Sequence, residues 1–336
     1  MDHDIAQPVR SFFQNYLTAE RNLSPLTVLA YRDTLKLLLS FAARRLRKSC
    51  VVLHVEDITA GIVREFLEHL EKERGNCART RNARLAVIRT FFNYLASLDP
   101  RLVEQCQAVL TVPFKRQNEP MMDYLERDEV RHILQHIDPA HKAGRRDEAA
   151  LRLLYNTGAR AHELITLDVN DIRFTRPNFV RIRGKGYKER TCPLWPETIK
   201  VIRAYMEDRK LNPGDRAPLF VNAKGDRLSR FGLRHIITHR VAAATKSCQT
   251  LLTRKIGPHT FRHTTAMHLL QSGVDLNMIR SWLGHSSIET THRYVEIDLE
   301  MKRKTLRACE KLLPESKVGG PSWKTNQGVL NWLESL

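Results

Sequence analysis

The chain of 336 residues contains 42% hydrophobic and 27% charged residues, a balance that is typical of folded globular proteins and excludes an intrinsically disordered one. Lys and Arg total 55 against 37 acidic residues, and the net charge of +18 predicts a polyanionic partner, with nucleic acid the first candidate. No apolar run approaches the roughly 20 residues that cross a bilayer. The polar N-terminus also lacks a secretory pattern, so we expect a cytoplasmic protein.

The length favours two domains, and both of them carry positive charge. Residues 1–120 hold 18 basic and 13 acidic residues, a net charge of +5, and the remainder holds 37 and 24, a net charge of +13. The six cysteines are scattered and form no CxxC pair. They therefore indicate reduced thiols rather than a disulfide framework or a zinc site.

The sequence predicts a small helical domain over residues 1–112. Ser24 followed by Pro25 is a typical helix start, and Thr59 is predicted to cap a second helix. A third helix is predicted from Ala78 to Leu98, where the apolar residues Leu85, Ile88, Phe92 and Leu95 share one side.

The opposite side of this third helix is polar and carries no acid, because none occurs between Glu73 and Asp99. Arg and Asn side chains without neighbouring acids suit a helix that lies in a DNA groove, although an ordinary solvated face has the same composition. The candidate DNA contacts are Arg79, Asn82, Arg89 and Asn93.

Residues 113–123 contain two prolines and are predicted to form a linker. A second domain is predicted over 124–313, followed by a C-terminal tail over 314–336 that contains a cluster of apolar residues. The second domain is predicted to begin with three helices (126–137, 147–156 and 159–167). Two strands (178–183 and 189–194) follow, around a turn with two glycines, and helices resume from 197 to about 312.

Four segments of the second domain carry candidate chemistry, although each has an ordinary structural explanation when taken alone. Arg160 follows a helix break at Gly158 and has Glu163 within reach for an ion pair, and the lysines of the turn at 184–188 are placed as solvated lysines usually are. His259 and Arg262 share one face at a helix start, which is a ready anion site. His285 follows a glycine stop, and Tyr294 has the surroundings of a core tyrosine.

A metal site is a second interpretation, because His259 and His263 lie four residues apart. Position 260 is Thr, however, so no HExxH motif is present, and the cysteines offer no ligand cluster. No carboxylate pair has the spacing of a two-metal nuclease, and no GxxxxGK[ST] motif indicates ATP binding. We therefore expect no metal ion and no other cofactor.

Together and in this order, the segments resemble the tyrosine recombinase family, also called the phage integrase family, and within it the Xer-like and transposon-encoded branch. The resemblance rests on TGARAHEL, GKGYKER, PHTFRHTTAMHLLQSG and IRSWLGHSSIETTHRYV, and it covers nearly the whole chain. It implies a mainly α catalytic domain with a small β-sheet (α+β). An all-α, SAM-like core-binding domain would precede it, and the two would form a C-shaped clamp around DNA.

The resemblance implies a role for each signature position. Tyr294 would attack the scissile phosphorus, Lys185 would protonate the leaving 5′-oxygen, and His259 would assist proton transfer. Lys188 lies close enough to Lys185 to remain an alternative general acid. Arg160, Arg262 and His285 would hold the phosphate oxygens. Glu163 would support the arginine or histidine network.

The function that the resemblance implies is site-specific DNA recombination through a 3′-phosphotyrosyl intermediate and a Holliday junction, without metal or ATP. The free protein would be a monomer and would assemble as a homo-tetramer on two DNA sites, associated with the nucleoid, with accessory proteins as further partners. The tail after Pro314 would dock on a neighbouring protomer. Two alternatives stay open, a catalytically silent DNA-binding accessory protein of the same fold and a type IB topoisomerase-like nicking-closing enzyme. Transposition, dimer resolution and phage integration are not distinguished.

Overall fold

The computed structural model describes residues 4–117, 123–184 and 188–284, together with Tyr294, Gly328 and Asn331. The chain divides into two compact units, Met1–Pro120 and Met121–Leu336, and the division falls inside the segment 113–123 that was predicted as a linker. None of the described helices combines the length and the apolar character that a bilayer crossing requires. The described residues form a mainly helical fold with one small antiparallel sheet, which confirms the predicted mainly α architecture with a small β-sheet.

The first unit is all-helical in its described part. The side chains of Ser24 and Thr59 accept hydrogen bonds from the backbone N–H groups of Thr27 and Ile62, so both predicted N-caps are confirmed. The core contains Phe12, which is fully buried. The helices are α1 (Ala6–Ser11, continuing as a π-helix over Phe12–Glu20), α2 (Pro25–Leu46), α3 (Ala60–Lys72), α4 (Ala78–Leu98) and α5 (Val103–Leu110).

Besides its helices, the described part of the second unit contains a three-stranded sheet of order β1-β2-β3. The strands are β1 (Ile172–Arg173), β2 (Phe179–Arg183) and β3 (Glu189–Pro193), and β2 pairs with β3 from Phe179↔Pro193 to Arg183↔Glu189. The helices are α6 (Arg127–Gln135), α7 (Lys142–Thr157), α8 (Ala161–Ile165), α9 (Pro196–Asp208), α10 (Arg230–Ala244), α11 (Pro258–Gln271) and α12 (Leu276–Leu283).

The prediction of helices from 197 to about 312 needs one correction. Between α9 and α10 the chain forms turns and an isolated antiparallel bridge between Val221 and Arg227. Gly214 and Gly225, with φ of +99° and +90°, adopt backbone conformations that interrupt a helix. The part of this prediction beyond residue 284 lies outside the described residues, except for Tyr294. The sequence also did not predict β1, because a strand of two residues has no measurable periodicity.

Two glycines end the helices that lead to predicted catalytic residues. Gly158 is the left-handed C-cap of α7, with φ of +58°, and Gly284 is that of α12, with φ of +65°. A Cβ atom on Gly158 would lie 2.5 Å from Leu283 Cδ2, so a side chain at this position is excluded by packing as well as by backbone conformation. The ends of α7 and α12 are therefore in close contact, and both predicted helix ends are confirmed.

Candidate active site

The junction between α7 and α8 holds Arg160 as the N-cap residue of α8. Glu163 accepts two hydrogen bonds from it, from Arg160 Nη1 at 2.8 Å and from the Arg160 backbone N–H at 2.9 Å. The ion pair that the sequence suggested is thus present. The Arg160 side chain is 38% exposed, whereas that of Glu163 is 4% exposed. The buried carboxylate therefore holds a guanidinium group that is accessible to solvent.

Arg262 lies on α11 and is only 3% exposed. Its Nη1 donates to the carbonyl of Gly158 and its Nη2 to the carbonyl of Leu283, both at 2.7 Å, so it ties together the ends of α7 and α12. Burial and the nearby charge of Arg160 lower the pKa of Arg262 to about 10, which leaves the guanidinium charged at neutral pH. The two carbonyls use two of its five N–H donors.

His259 lies one turn before Arg262, in the first turn of α11. Loss of solvation lowers its pKa below the usual 6.5, and the positive charges of Arg262 and Arg160 lower it further. The imidazole is therefore neutral at pH 7, and one of its ring nitrogens can accept a proton. This protonation state suits the proton-transfer role that the resemblance implied.

Tyr294 is 1% exposed. Its hydroxyl lies 3.0 Å from His263 Nδ1, and the tautomer of the imidazole decides which group donates. His263 was not among the predicted site residues, because its neighbour Arg262 carried the motif and the contact with Tyr294 exists only in the folded chain. The ring of Tyr294 packs in an apolar cluster with Ala266, Met267, Leu270, Ile279 and Leu283.

Arg190 is a second residue that sequence reasoning missed. It lies on β3 and donates from Nη2 to Glu163 Oε2 at 2.7 Å, so Glu163 is held between two arginines. Burial alone would raise the pKa of Glu163, but the hydrogen bond and charge of Arg190, followed by the bonds from Arg160, lower it to about 2. The sequence signal was that Arg190 is the last residue of GKGYKER, one of the segments that carry the resemblance.

Two predicted catalytic residues, Lys185 and His285, lie outside the described residues. The base of the hairpin that carries Lys185 is described, and there the Gly184 N–H donates to the carbonyl of Lys188 at 2.8 Å. Lys188 is exposed, so the choice between the two lysines as general acid stays open.

Two guanidinium groups therefore meet where α7, α8, α11 and α12 converge. Arg262 Nη1 bonds to the carbonyl of Gly158, only two residues before Arg160, so the two positive charges lie close to each other. Such a pair matches the geometry and charge of a phosphate group. Across residues 4–117, 123–184 and 188–284, no group of three or more His, Cys, Asp or Glu side chains is arranged to hold a metal ion.

The predicted DNA contacts on α4 fall into two groups. Arg79 and Asn93 are exposed. Asn82 is only 7% exposed, and its amide pairs with the backbone of Lys115, with Nδ2 to O at 2.7 Å and Oδ1 to N at 3.0 Å. An amide bonded on both sides is not available to a base edge. The prediction for Asn82 is therefore revised to a role in holding the chain after α5.

Arg89 is engaged in a similar way. Its Nη2 donates to the carbonyl of Val112 at 2.7 Å, and its guanidinium carbon lies 4.3 Å from the centre of the Phe114 ring. Arg89 and Asn82 thus fasten the first residues of the predicted linker to α4. The exposed stripe of α4 consists instead of residues at helical spacing, Arg79, Ala83, Ala86 and Asn93.

Comparison with known families gives two matches that together span most of the chain. The profile of the phage integrase family matches residues 123–301, and that of the phage integrase N-terminal SAM-like domain matches residues 11–98. These ranges correspond to the two compact units and include Arg160, Arg262 and Tyr294.

Individual relatives align over nearly the full length. The chain is 39% identical to the putative integrase/recombinase y4rC of Sinorhizobium fredii, over 99% of this chain and 98% of that protein. It is 31% identical to the tyrosine recombinase XerC of Pelobacter propionicus, over 92% and 96% of the two chains.

Solved structures show the same fold at lower identity. The XerH site-specific recombinase in a post-cleavage complex with a palindromic difH substrate superposes with a TM-score of 0.66 and 21% identity, over 86% of this chain and 82% of that one. The Tn1549 transposon integrase in complex with transposon right end DNA superposes with a TM-score of 0.69 and 17% identity, over 92% and 99%.

Proposed function

The chain belongs to the phage integrase family, and from this membership we propose that it is a site-specific tyrosine recombinase that cuts and rejoins DNA through a covalent bond between Tyr294 and a backbone phosphate. The observation that carries the proposal is that Arg262, on α11, bonds to the carbonyl of Gly158 two residues before Arg160, while the same helix packs against Tyr294. Two fixed guanidinium groups provide a phosphate site, and a nearby phenol provides a nucleophile.

In the proposed reaction, the Tyr294 hydroxyl attacks the phosphorus and the bond to the 5′-oxygen breaks. A 3′-phosphotyrosyl link and a free 5′-hydroxyl result. A phenol has a pKa of about 10, so it needs a proton acceptor at neutral pH, and neutral His259 is suited to assist. Arg160 and Arg262 stabilise the additional negative charge of the pentavalent transition state, and Lys185 and His285 take the roles that the resemblance implies.

The phosphotyrosyl bond conserves the energy of the phosphodiester, so rejoining needs no ATP. Attack by the 5′-hydroxyl of another strand on this bond regenerates Tyr294 and joins the two strands. Exchange between two duplexes requires protomers on both DNA sites, and we propose a homo-tetramer on this ground. Docking of the tail after Pro314 on a neighbouring protomer would connect these subunits.

Strand exchange is the experiment that tests this function. Two differently labelled duplexes carrying the recombination site should yield recombinant products with the wild-type chain in the presence of EDTA. Relaxation of a single supercoiled duplex without any strand exchange would instead favour the topoisomerase-like alternative.

A chain truncated after Pro314 tests the role of the tail. It should still bind DNA but form fewer synaptic complexes, because its proposed contact between protomers is gone. Equal synapsis by the truncated chain would refute this role.

We propose that DNA contacts one exposed, acid-free helix face in each unit. In the first unit it is the stripe of α4 that contains Arg79 and Asn93. In the second it is α10, since no acid occurs between Asp226 and Asp275. The exposed residues of α10 at helical spacing are Phe231, Arg234, His235 and Thr238. Phe231 is 83% exposed at the start of the helix, where an apolar ring suits contact with thymine methyl groups.

Two substitutions on α10 should have different effects. Phe231→Ala should weaken binding to the recombination site by about 10-fold and leave binding to unrelated DNA unchanged, because it removes a base contact. Arg234→Ala should weaken binding to the recombination site and to unrelated DNA alike, because it removes one phosphate contact. The negative slope of log K against log salt should become shallower by about 0.9. Fluorescence anisotropy at several salt concentrations measures both.

Val51→Ala is a matched control for the ring, because Val51 is 82% exposed in the other unit and lies outside both proposed DNA faces. It should bind both DNAs as the wild type does. Unchanged binding by Phe231→Ala and Arg234→Ala alike would remove α10 from the DNA interface.

A further inference from the structure

Arg190 connects two parts of the candidate site that are far apart in the sequence. Besides its bond to Glu163 Oε2, it donates from Nε to the carbonyl of Trp282 at 2.9 Å. Its side chain is 10% exposed and that of Glu163 is 4% exposed. A buried guanidinium that is bonded at both ends is held in one orientation, since a rotation that keeps one bond breaks the other.

At the first end, Arg190 determines how Glu163 holds Arg160. Glu163 Oε1 accepts from Arg160 Nη1, whereas Oε2 accepts both from the Arg160 backbone and from Arg190 Nη2. The carboxylate plane is therefore fixed by three bonds, and Arg190 contributes the one that comes from another element. Without it, both remaining bonds come from Arg160 itself, and no hydrogen bond ties the carboxylate to β3.

At the second end, Arg190 fixes the C-terminus of α12. The Trp282 carbonyl also accepts a weaker bond from Cys192 Sγ at 3.5 Å, and the Trp282 indole donates to the carbonyl of Asn156 at 3.2 Å. A Cβ atom on Gly284 would lie 3.1 Å from Arg190 Nη1, so the chain passes close to the guanidinium as it leaves the helix. The next residue is His285.

Arg190 and Arg262 join the same two regions. Arg262 bridges the carbonyls of Gly158 and Leu283, and Arg190 bridges Glu163 and the carbonyl of Trp282. Each arginine thus links the segment that presents Arg160 to the last residues of α12. Two parallel links resist rotation of one segment against the other, which a single link does not.

We propose that Arg190 is a positioning residue of the recombinase. It holds the Arg160–Glu163 pair in register with the end of α12, so that Arg160 is kept beside Arg262 at the proposed phosphate site. This inference rests on the proposed function. Arg190 acts through Glu163 and Trp282, and it is not assigned a contact with DNA.

The test is single-turnover cleavage of a nicked suicide substrate at saturating DNA, with DNA affinity and melting temperature measured for each variant. Arg190→Gln should lower the cleavage rate by about 10- to 100-fold, which is the effect of removing a partner that orients a ligating side chain in metal sites. It should leave DNA affinity unchanged. Arg190→Lys should recover part of the rate, because an ammonium group can pair with Glu163 but cannot also reach Trp282 in the same geometry.

Arg146→Gln is the matched control. Arg146 lies on α7 and donates to Asp147, which also pairs with Arg240, and the side chains of Arg146 and Asp147 are 17% and 5% exposed. This is the same arrangement of one buried carboxylate between two arginines, at a place to which neither a catalytic nor a DNA-binding role is assigned. Arg146→Gln should lower the melting temperature as Arg190→Gln does, yet cleave at the wild-type rate once DNA is saturating.

Coupling between Arg190 and Glu163 provides a second readout. If Arg190 acts through Glu163, the double variant Arg190→Gln/Glu163→Gln should be no slower than the slower single variant. Additive losses, a wild-type rate for Arg190→Gln, or an equal loss of rate in Arg146→Gln would each overturn the proposal. Should Arg190→Gln fail to fold, Arg190→Lys and Glu163→Gln carry the same comparison. Absence of a covalent adduct with the wild-type chain would contradict the recombinase function itself.

Discussion

Replacement of Tyr294 by phenylalanine is expected to abolish the covalent protein–DNA adduct while leaving the fold and DNA binding intact. The substitution removes only the hydroxyl, and the ring keeps its place in the apolar cluster of α11 and α12. The lost hydrogen bond to His263 should cost about 1 kcal/mol of stability. Loss of the nucleophile itself should reduce cleavage by at least about a thousandfold.

The measurement is a suicide-substrate assay on a nicked DNA fragment in EDTA, with the adduct detected on a denaturing gel. Tyr155→Phe is the matched control, because the Tyr155 hydroxyl bonds to His268 Nδ1 at 2.8 Å and forms a second Tyr–His pair in the same unit. This control should form the adduct at the wild-type rate. An adduct that survives Tyr294→Phe would mean that another residue is the nucleophile. No adduct with any chain, although all bind the site, would favour the accessory-protein alternative.

Replacement of Arg262 by lysine is expected to have the second largest effect. A lysine keeps the positive charge but has neither the planar fork nor the reach to bond the carbonyls of Gly158 and Leu283 together. A phosphate would lose one fixed guanidinium, which should lower the cleavage rate by about 100- to 1000-fold at saturating DNA. A buried carbonyl without its donor should also cost about 1–3 kcal/mol of stability.

Arg209→Lys separates these two effects. Arg209 donates from Nη1 to the carbonyls of Pro218 and Leu219, both at 2.7 Å, so it is another arginine that bridges two backbone carbonyls. Its substitution should lower the melting temperature without changing the cleavage rate of the bound complex. If Arg209→Lys and Arg262→Lys reduce cleavage equally, the effect of Arg262 is one of stability, and its role at the phosphate is wrong.

Much of the local structure was determined by the sequence alone. Ser24 and Thr59 cap their helices, and Gly158 and Gly284 end theirs, because a cap bond or a left-handed residue involves only a few neighbouring positions. The extent of α4, from Ala78 to Leu98, follows from its apolar periodicity in the same way. The order of the motif residues was sufficient to indicate the family.

Tertiary structure decided which polar side chains are free and which are engaged. On α4 the sequence treats Asn82 and Asn93 alike, yet Asn82 pairs with the backbone 33 residues away. Likewise, Arg190 meets Glu163 and Trp282 at separations of 27 and 92 residues, and His263 meets Tyr294 at 31. Periodicity records which face of an element is apolar, but it does not record which other element covers that face. The partners of a buried arginine or tyrosine are therefore set only when the elements pack.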